Sequence, residues 1–145
     1  MQAQRINELE LIEIWSETDQ TRRARFTFPI FNLTGAVSSS VVYFEVDPGK
    51  HLGMHRDSAE EIVMIISGSA EAIVGEERGK VAAGSLAVIP AMVPHDIVNI
   101  GDEPVRVVGF FSSATMVSVF DDPLAPIGKC VVGTPLPEEP VLVEA

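Results

Sequence analysis

The hydrophobic residues of this chain are grouped in short segments that are rich in β-branched and aromatic side chains. Examples are ARFTFPIF, SSVVYFEV, EIVMIIS, VRVVGFF and TMVSVF. The segments between them contain turn formers such as DPGK, SGSA, GEERGK and IGDEP. Many short strands separated by frequent turns are typical of an all-β sandwich or barrel. Because no long segment carries a helical period with caps at both ends, we predict an all-β fold.

The two ends of the chain differ from this pattern. The segment INELELIEIW fits neither the helical nor the strand period cleanly, and we predict a strand or short helix that leads into the barrel. The C-terminal stretch GTPLPEEPVLVEA is rich in Pro and Glu, which favours an extended tail. We therefore predict one domain, with the barrel and its lead-in over residues 1–125 and the tail over residues 126–145.

Composition and charge narrow the range of partners. With 145 residues, of which 46% are hydrophobic, the chain is long enough to bury a core. Its formal charge of −11 argues against nucleic acid or an anionic membrane as the main partner, since both require a positive surface. The single cysteine, Cys130, cannot form an intrachain disulfide and fits a reducing compartment. The start of the chain lacks the features of a secretory signal, so we expect a cytoplasmic protein without a membrane partner.

Two of the three histidines and three carboxylates lie in one short region. The stretch HLGMHRDSAEE contains His51, His55, Asp57 and Glu61. Side chains alternate across a strand, so His55 and Asp57 point to the same face, and Glu61 joins them if the chain stays extended. A distant histidine, His95, would complete a set of two imidazoles and two carboxylates. Such a mixed nitrogen and oxygen set suits Fe(II), Mn(II), Ni(II) or Zn(II).

The spacing of these residues resembles the first motif of small cupins. That motif has a glycine, a His-x-His pair, a glutamate and a second glycine at fixed intervals. Here Gly49 is followed by His55, Asp57, Glu61 and Gly68 at matching intervals. Asp57 stands where the family has its second histidine.

A second motif of the same family lies further along the chain. It has a glycine, a Pro-x-Gly turn, a histidine and an asparagine. Here Gly84 is followed by Pro90, Met92 in the place of the turn glycine, His95 and Asn99. We expect the loss of that glycine to have little effect, because prolines still constrain the turn. The resemblance extends from about residue 40 to residue 112.

The resemblance implies a fold and a site. The fold would be a double-stranded β-helix, also called a jelly-roll barrel. A divalent metal would be bound by His55, Asp57, Glu61 and His95, with Fe(II) or Mn(II) first and Zn(II) or Ni(II) as further choices. Glu61 and Asp57 are then the candidate catalytic acid and base.

Asp57 leaves three interpretations open. It could be a ligand in a harder, oxygen-rich site. Alternatively, His55, Glu61 and His95 alone would form the two-histidine, one-carboxylate set that non-haem Fe(II) oxygenases use. In the third interpretation the metal site has been lost. We favour a retained metal site.

These features predict a metal-dependent enzyme acting on a small molecule, with an oxygenase-type reaction first. A non-redox isomerase or lyase on the same site is the alternative, as is a small-ligand-binding cupin with a degenerate metal site. A purely structural domain is a further possibility that the maintained spacing argues against. The resemblance also implies a homodimer.

Four basic residues near the predicted site need separate interpretation. His51 shares the strand parity of His55 and could act as a third imidazole or a proton carrier, but a solvated histidine at a strand start is more common. Arg22, Arg23 and Arg25 could bind an anionic substrate, but a solvated strand end is the more common arrangement.

Overall fold

The computed structural model describes residues 1–134, and nearly all of its regular structure is β. Strands account for 54% of the described residues and helix for 4%, which confirms the predicted all-β class. The strands are, in chain order, β1 (Ile12–Trp15), β2 (Arg23–Ile30), β3 (Ser40–Val46), β4 (His55–Asp57), β5 (Glu61–Ser67), β6 (Ser69–Val74), β7 (Glu77–Ala82), β8 (Leu86–Ile89), β9 (His95–Asn99), β10 (Val105–Phe111), β11 (Val117–Leu124) and β12 (Lys129–Gly133). Two short 3-10 helices cover Ile6–Glu8 and Asn32–Thr34. Neither has the length or apolar character required to span a lipid bilayer.

The strands form two six-stranded antiparallel sheets that enclose one core. The first sheet has the strand order β1-β2-β3-β10-β5-β8, and the second has the order β12-β11-β4-β9-β6-β7. Successive strands such as β3 and β4, or β8 and β9, lie in different sheets, so the chain passes repeatedly between the two layers. This arrangement is the predicted jelly-roll barrel.

The alternation of side chains along the strands explains the core. In β3, Val42, Phe44 and Val46 are buried and point towards the opposite sheet. In β10, Val105 and Val107 do the same. Burial of each such side chain contributes roughly 1.5–3 kcal/mol to folding. The hydrophobic effect therefore fixes which face of each strand points inward, and with it the direction of the polar side chains that share that face.

The ends of the described chain show how the ambiguous segments fold. The N-terminal segment contains both a 3-10 turn, Ile6–Glu8, and the edge strand β1. At the other end, β12 pairs with β11 as an edge strand of the second sheet, which differs from the predicted tail beginning at residue 126. Cys130 lies partly buried within β12. The short apolar run CVV gave too weak a strand signal to be recognised. The remainder of the predicted tail, residues 135–145, lies outside the described residues.

Candidate metal centre

Two neighbouring strands of the second sheet hold the core of the site. His55 on β4 lies directly opposite His95 on β9 in the strand register. Asp57 follows on the same inward face of β4, so all three side chains point into the barrel and are almost fully buried. One ligand atom from each of these three residues lies within 4.8 Å of the others. The pairing of β4 with β9 therefore produces a group of two imidazoles and one carboxylate.

Glu61 approaches the same point from the first sheet. It begins β5, lies opposite Phe111 on β10, and is 4% exposed. Its Oε1 is 3.6 Å from the Nε2 of His95. The structure thus brings together all four residues named from the sequence, with Glu61 beside the tighter group of three. The turn before β5 does not move Glu61 off the inward face.

The hydrogen bonds of the two imidazoles determine which nitrogen faces the centre. The Nδ1 of His55 lies 2.7 Å from the carbonyl oxygen of Gly53. The Nδ1 of His95 lies 2.9 Å from the carbonyl oxygen of Val93. A backbone carbonyl can only accept, so each Nδ1 carries the proton and donates it. Each Nε2 then points inward, in the arrangement that is usual for metal-binding histidines.

Two buried atoms at the centre lack hydrogen-bond partners among the described residues. They are Oδ2 of Asp57 and Nε2 of His95. The two atoms are 2.9 Å apart, but their orientation does not form a hydrogen bond. Buried polar atoms without partners are rare because each costs about 1–3 kcal/mol. A divalent cation at the point where these atoms converge would satisfy both, so the residues present fit a metal.

Two side chains of β11 support the ligands from behind. Ser118 lies opposite Asp57 in the register, and its hydroxyl donates a hydrogen bond to Oδ1. Phe120 lies opposite His55, and the two rings stack with their centroids 4.5 Å apart. These contacts fix the Asp57 carboxylate and the His55 ring before any ligand arrives, leaving Oδ2 of Asp57 directed at the centre.

The electrostatics of the four groups differ because their partners differ. Burial, together with the nearby His95, lowers the pKa of His55 to about 4. Burial raises the pKa of Glu61 to about 7. Burial also opposes charge on His95, but the adjacent Asp57 and Glu61 carboxylates outweigh it and raise its pKa to about 10. For Asp57, burial is outweighed by His95, His55 and Ser118, so its pKa is lowered. The metal-free site therefore pairs an ionised Asp57 with a protonated His95 near neutral pH.

Gly109 on β10 makes room for Glu61. A Cβ atom at this position would overlap the Oε2 of Glu61 and crowd Val42. The glycine lies opposite Val63 in the register, in the middle of the first sheet. The absence of a side chain here leaves room for the carboxylate of Glu61.

His51 belongs to a separate network. Its Nδ1 lies 2.7 Å from Oδ2 of Asp96, and its Nε2 lies 3.2 Å from Oδ2 of Asp19. The carboxylate of Asp96 raises the pKa of His51 despite partial burial. The other oxygen of Asp96 accepts the backbone N–H of Gly53, whose carbonyl accepts from His55. His51 is thus neither a third imidazole ligand nor a freely solvated residue.

Met92 keeps the turn geometry that a glycine would provide. Its φ is 66°, in the left-handed region, and its N–H donates to the carbonyl oxygen of Asp57 at 2.8 Å. A non-glycine residue in that conformation costs roughly 1–2 kcal/mol. The substitution therefore has a larger energetic effect than the flanking prolines suggested, and the turn that supports Asp57 is retained at that cost.

The site lies at the wall of an apolar cavity inside the barrel. Seventeen residues line it, of which twelve are hydrophobic, and the other five are His55, Asp57, Glu61, His95 and Ser118. The aromatic part of the lining consists of Phe26, Phe28, Phe44, Phe111 and Phe120. Such a concave apolar space with a few convergent polar groups is typical of a small-molecule site.

Several supporting residues were not identified from the sequence. Strand pairing, which the sequence does not specify, is what brings four of them close to the site: Ser118, Phe120, Gly109 and Asp96. Asp96 carried one usable signal, since it is a charged residue directly after His95 within the apolar strand β9. The others have no local signal.

Comparison with known proteins agrees with the geometry. The family model described as the cupin domain matches residues 42–111. No curated protein sequence matches the chain. An oxalate decarboxylase from Lactobacillus farciminis has a similar structure with a TM-score of 0.68 and 23% identity, over 80% of this chain and 34% of its own. A Bacillus subtilis oxalate decarboxylase with Mn(II) centres has a TM-score of 0.61 and 20% identity, over 74% of this chain and 30% of its own.

A third structure is closer in length. A provisionally assigned sugar phosphate isomerase from Acidithiobacillus ferrooxidans has a TM-score of 0.62 and 18% identity, over 83% of this chain and 79% of its own. This chain spans about a third of the length of the oxalate decarboxylases, and at these identities the likeness concerns the fold. The matched family model and the shared barrel together show that the chain contains a small cupin domain.

Proposed function

We propose that this cupin is a metal-dependent enzyme that carries out an oxygenase-type reaction on a small molecule. The observation that carries the proposal is the convergence of two imidazole Nε2 atoms and the Oδ2 of Asp57 at the wall of an apolar cavity. Two of these three atoms have no hydrogen-bond partner among the described residues. Without metal these two atoms form an ion pair that lacks hydrogen-bond geometry, whereas a divalent cation at the same point would bind both.

The proposed ligands are His55, Asp57 and His95, with Glu61 as a fourth. Two histidines and one carboxylate form the set that non-haem Fe(II) oxygenases use, with positions left open for substrate and O₂. Fe(II) and Mn(II) are the preferred metals, and Zn(II) or Ni(II) would also suit the donors. Mn(II) gains support from the Bacillus subtilis oxalate decarboxylase, which has Mn(II) centres in the same fold.

The metal, when bound, would supply Lewis acidity and, if it is iron or manganese, the capacity to activate O₂. In a dioxygenase reaction both oxygen atoms enter the substrate, which supplies all four electrons, so no external reductant is required. The residues of the chain would orient the substrate, exclude water and handle protons. Asp57, with its lowered pKa, stays ionised as a ligand.

Where His55, Asp57 and His95 alone bind the metal, Glu61 is the proposed proton carrier. Burial raises its pKa to about 7, so it can hold or release a proton at its carboxylate near neutral pH. The same property favours the second candidate, a non-redox isomerase or lyase, in which Glu61 would exchange a proton with the substrate. A non-catalytic ligand-binding cupin is the third candidate.

We further propose a homodimer formed through the outer face of the first sheet. Val88, Ile62 and Phe110 lie side by side across β8, β5 and β10, and each is at least 44% exposed. Leu86 on β8 extends this row and is 69% exposed. An exposed apolar surface of this kind is typical of a contact between subunits.

Anaerobic loading with Fe(II) followed by addition of nitric oxide tests the proposed site. Nitric oxide occupies the position of O₂ and gives a characteristic electron paramagnetic resonance signal when an iron ligand position is open. The proposal predicts one equivalent of iron and this signal, both lost in His55→Ala. Iron without the signal would favour the isomerase or lyase, and no iron would favour the ligand-binding protein.

A further inference from the structure

We propose that the cavity selects a neutral, apolar small molecule carrying an oxygen donor, and that it discriminates against dicarboxylates such as oxalate. This inference rests on the proposed function in one respect, because the oxygen donor is assigned to the metal. The preference for an apolar ligand depends on the cavity alone. It also separates this chain from the oxalate decarboxylases that share its fold.

The rest of the cavity lining is apolar. Apart from the four proposed ligands and Ser118, every residue that lines the cavity is hydrophobic. The hydroxyl of Ser118 already donates to Asp57. A substrate placed against the metal would therefore contact side chains such as Phe28, Phe44 and Val63, with no protein donor to bind a second polar group.

The charge of the cavity also disfavours an anion. Asp57 and Glu61 contribute carboxylates, whereas no lysine or arginine in residues 1–134 lines the cavity. Residues 135–145 contain no Lys, Arg or His, so they have no cation to offer. A dianion would thus be transferred from water to a low-dielectric space beside two carboxylates, with only the metal to offset its charge.

The two arginines of β2 form ion pairs with carboxylates outside the cavity. Arg25 binds Asp47 and Glu45, and Arg23 binds Glu13. The earlier suggestion that these arginines bind an anionic substrate therefore finds no support in their contacts.

Arg22 is the one arginine that contacts a residue of the cavity wall and is itself buried. Its guanidinium carbon lies 5.2 Å from the centroid of the Phe120 ring, and Nη2 donates to the carbonyl oxygen of Asp122 at 3.0 Å. Arg22 is not part of the lining, whereas Phe120 is. The guanidinium therefore stabilises the Phe120 ring and does not present its charge to the cavity.

The cavity is also narrow. Its volume is about 40 Å³, which is only a few-fold more than the roughly 10–15 Å³ that one water requires. The ligand must therefore be small, with its donor oxygen at the metal and its apolar part among the phenylalanine rings.

Three ligands and Mn(II)-loaded protein test the inference by titration calorimetry. Acetohydroxamic acid is similar in size to oxalate but binds Mn(II) as a monoanion, whereas oxalate is a dianion, and propionohydroxamic acid adds one methylene group. Each affinity is expressed relative to the affinity of the same ligand for aqueous Mn(II). We expect oxalate to be at least tenfold weaker than acetohydroxamic acid on this scale, and propionohydroxamic acid to be about fourfold tighter. Oxalate equal to or tighter than acetohydroxamic acid, particularly if Arg22→Ala then weakens it, would overturn the inference.

A second arm uses metal-free protein and xenon, which is small, apolar and without a donor atom, with binding followed by nuclear magnetic resonance. We expect saturable binding that Phe28→Lys weakens at least tenfold. Ile100→Lys is the control and should leave it unchanged, because Ile100 is 47% exposed and does not line the cavity. Xenon binding without manganese binding would sustain the apolar cavity while the proposed metal function fails. Stoichiometric manganese without any xenon binding would overturn the inference and leave the metal function standing.

Discussion

The Nε2 of His95 lies 2.9 Å from Oδ2 of Asp57, yet neither atom takes part in a hydrogen bond within residues 1–134. The two atoms converge with the Nε2 of His55, which is 3.8 Å from the same Asp57 oxygen. Asp57 thus stands in a position to complete a metal centre with two histidines. The aspartate that replaces the second histidine of the family motif is long enough to reach the centre.

Metal affinity should rise with pH. The pKa of His95 is raised to about 10 and that of Glu61 to about 7, so protons compete with the metal below these values. Near pH 8 the metal displaces the proton of His95, and affinity should change about tenfold per pH unit. Below about pH 7 the dependence should become steeper if Glu61 also binds the metal. Calorimetric titration with Mn(II) between pH 6 and 8.5, in buffers of different ionisation enthalpy, counts the protons released. An affinity that is independent of pH would contradict this assignment.

Gly109→Ala should disturb Glu61. The added methyl group overlaps the Oε2 of Glu61, so the carboxylate must move or the strands must separate, at roughly 1–3 kcal/mol of unfolding free energy. Chemical denaturation measures this loss. Gly79→Ala on β7 is the matched control, because a Cβ there meets no atom within 4 Å. Equal stability of the two variants would show that Glu61 does not depend on the glycine.

Asp96 should act on the metal through His55. Its Oδ1 accepts the N–H of Gly53 at 2.8 Å, and the carbonyl of Gly53 accepts from Nδ1 of His55 at 2.7 Å. Asp96→Ala removes the first bond, so we expect metal affinity to fall about 10–100-fold. Asp96→Asn retains an acceptor oxygen and should have a smaller effect. Asp19→Ala is the control and should leave affinity unchanged, because it removes the acceptor of Thr21 and the other partner of His51 but keeps the hydrogen bonds from Asp96 through Gly53 to His55.

The proposed dimer has a simple test in sedimentation equilibrium. The chain has a mass of 15.6 kDa, and we expect a particle of twice that mass. Ile62→Asp should give a monomer, because it places a charge without a partner in the apolar contact. Ile100→Asp is matched, since both isoleucines are 47% exposed, and should remain dimeric. A monomeric parent at micromolar concentration would contradict the proposal.

The sequence predicted the inward face of the site better than its surroundings. Strand alternation predicted that His55 and Asp57 share a face, the motif spacing added Glu61 and His95, and the four side chains lie close together in the structure. The supports could not be predicted, because Ser118 and Phe120 reach the ligands through the pairing of β11 with β4, some sixty residues away in the chain. Such pairings follow from the burial of whole sheets and leave no local pattern. The strand β12 was missed for the same reason.

The most direct test of the central claim is metal content by mass spectrometry, on protein purified without a metal-affinity tag and reconstituted with Fe(II) or Mn(II). Three proteins are compared: the parent, Asp57→Ala and Ser118→Ala. We predict about one equivalent of metal in the parent, loss of most of it in Asp57→Ala, and a smaller loss in Ser118→Ala, which only supports the carboxylate. Full metal content in Asp57→Ala would show that Asp57 is not a ligand, and a parent without metal after reconstitution would contradict the metal centre itself.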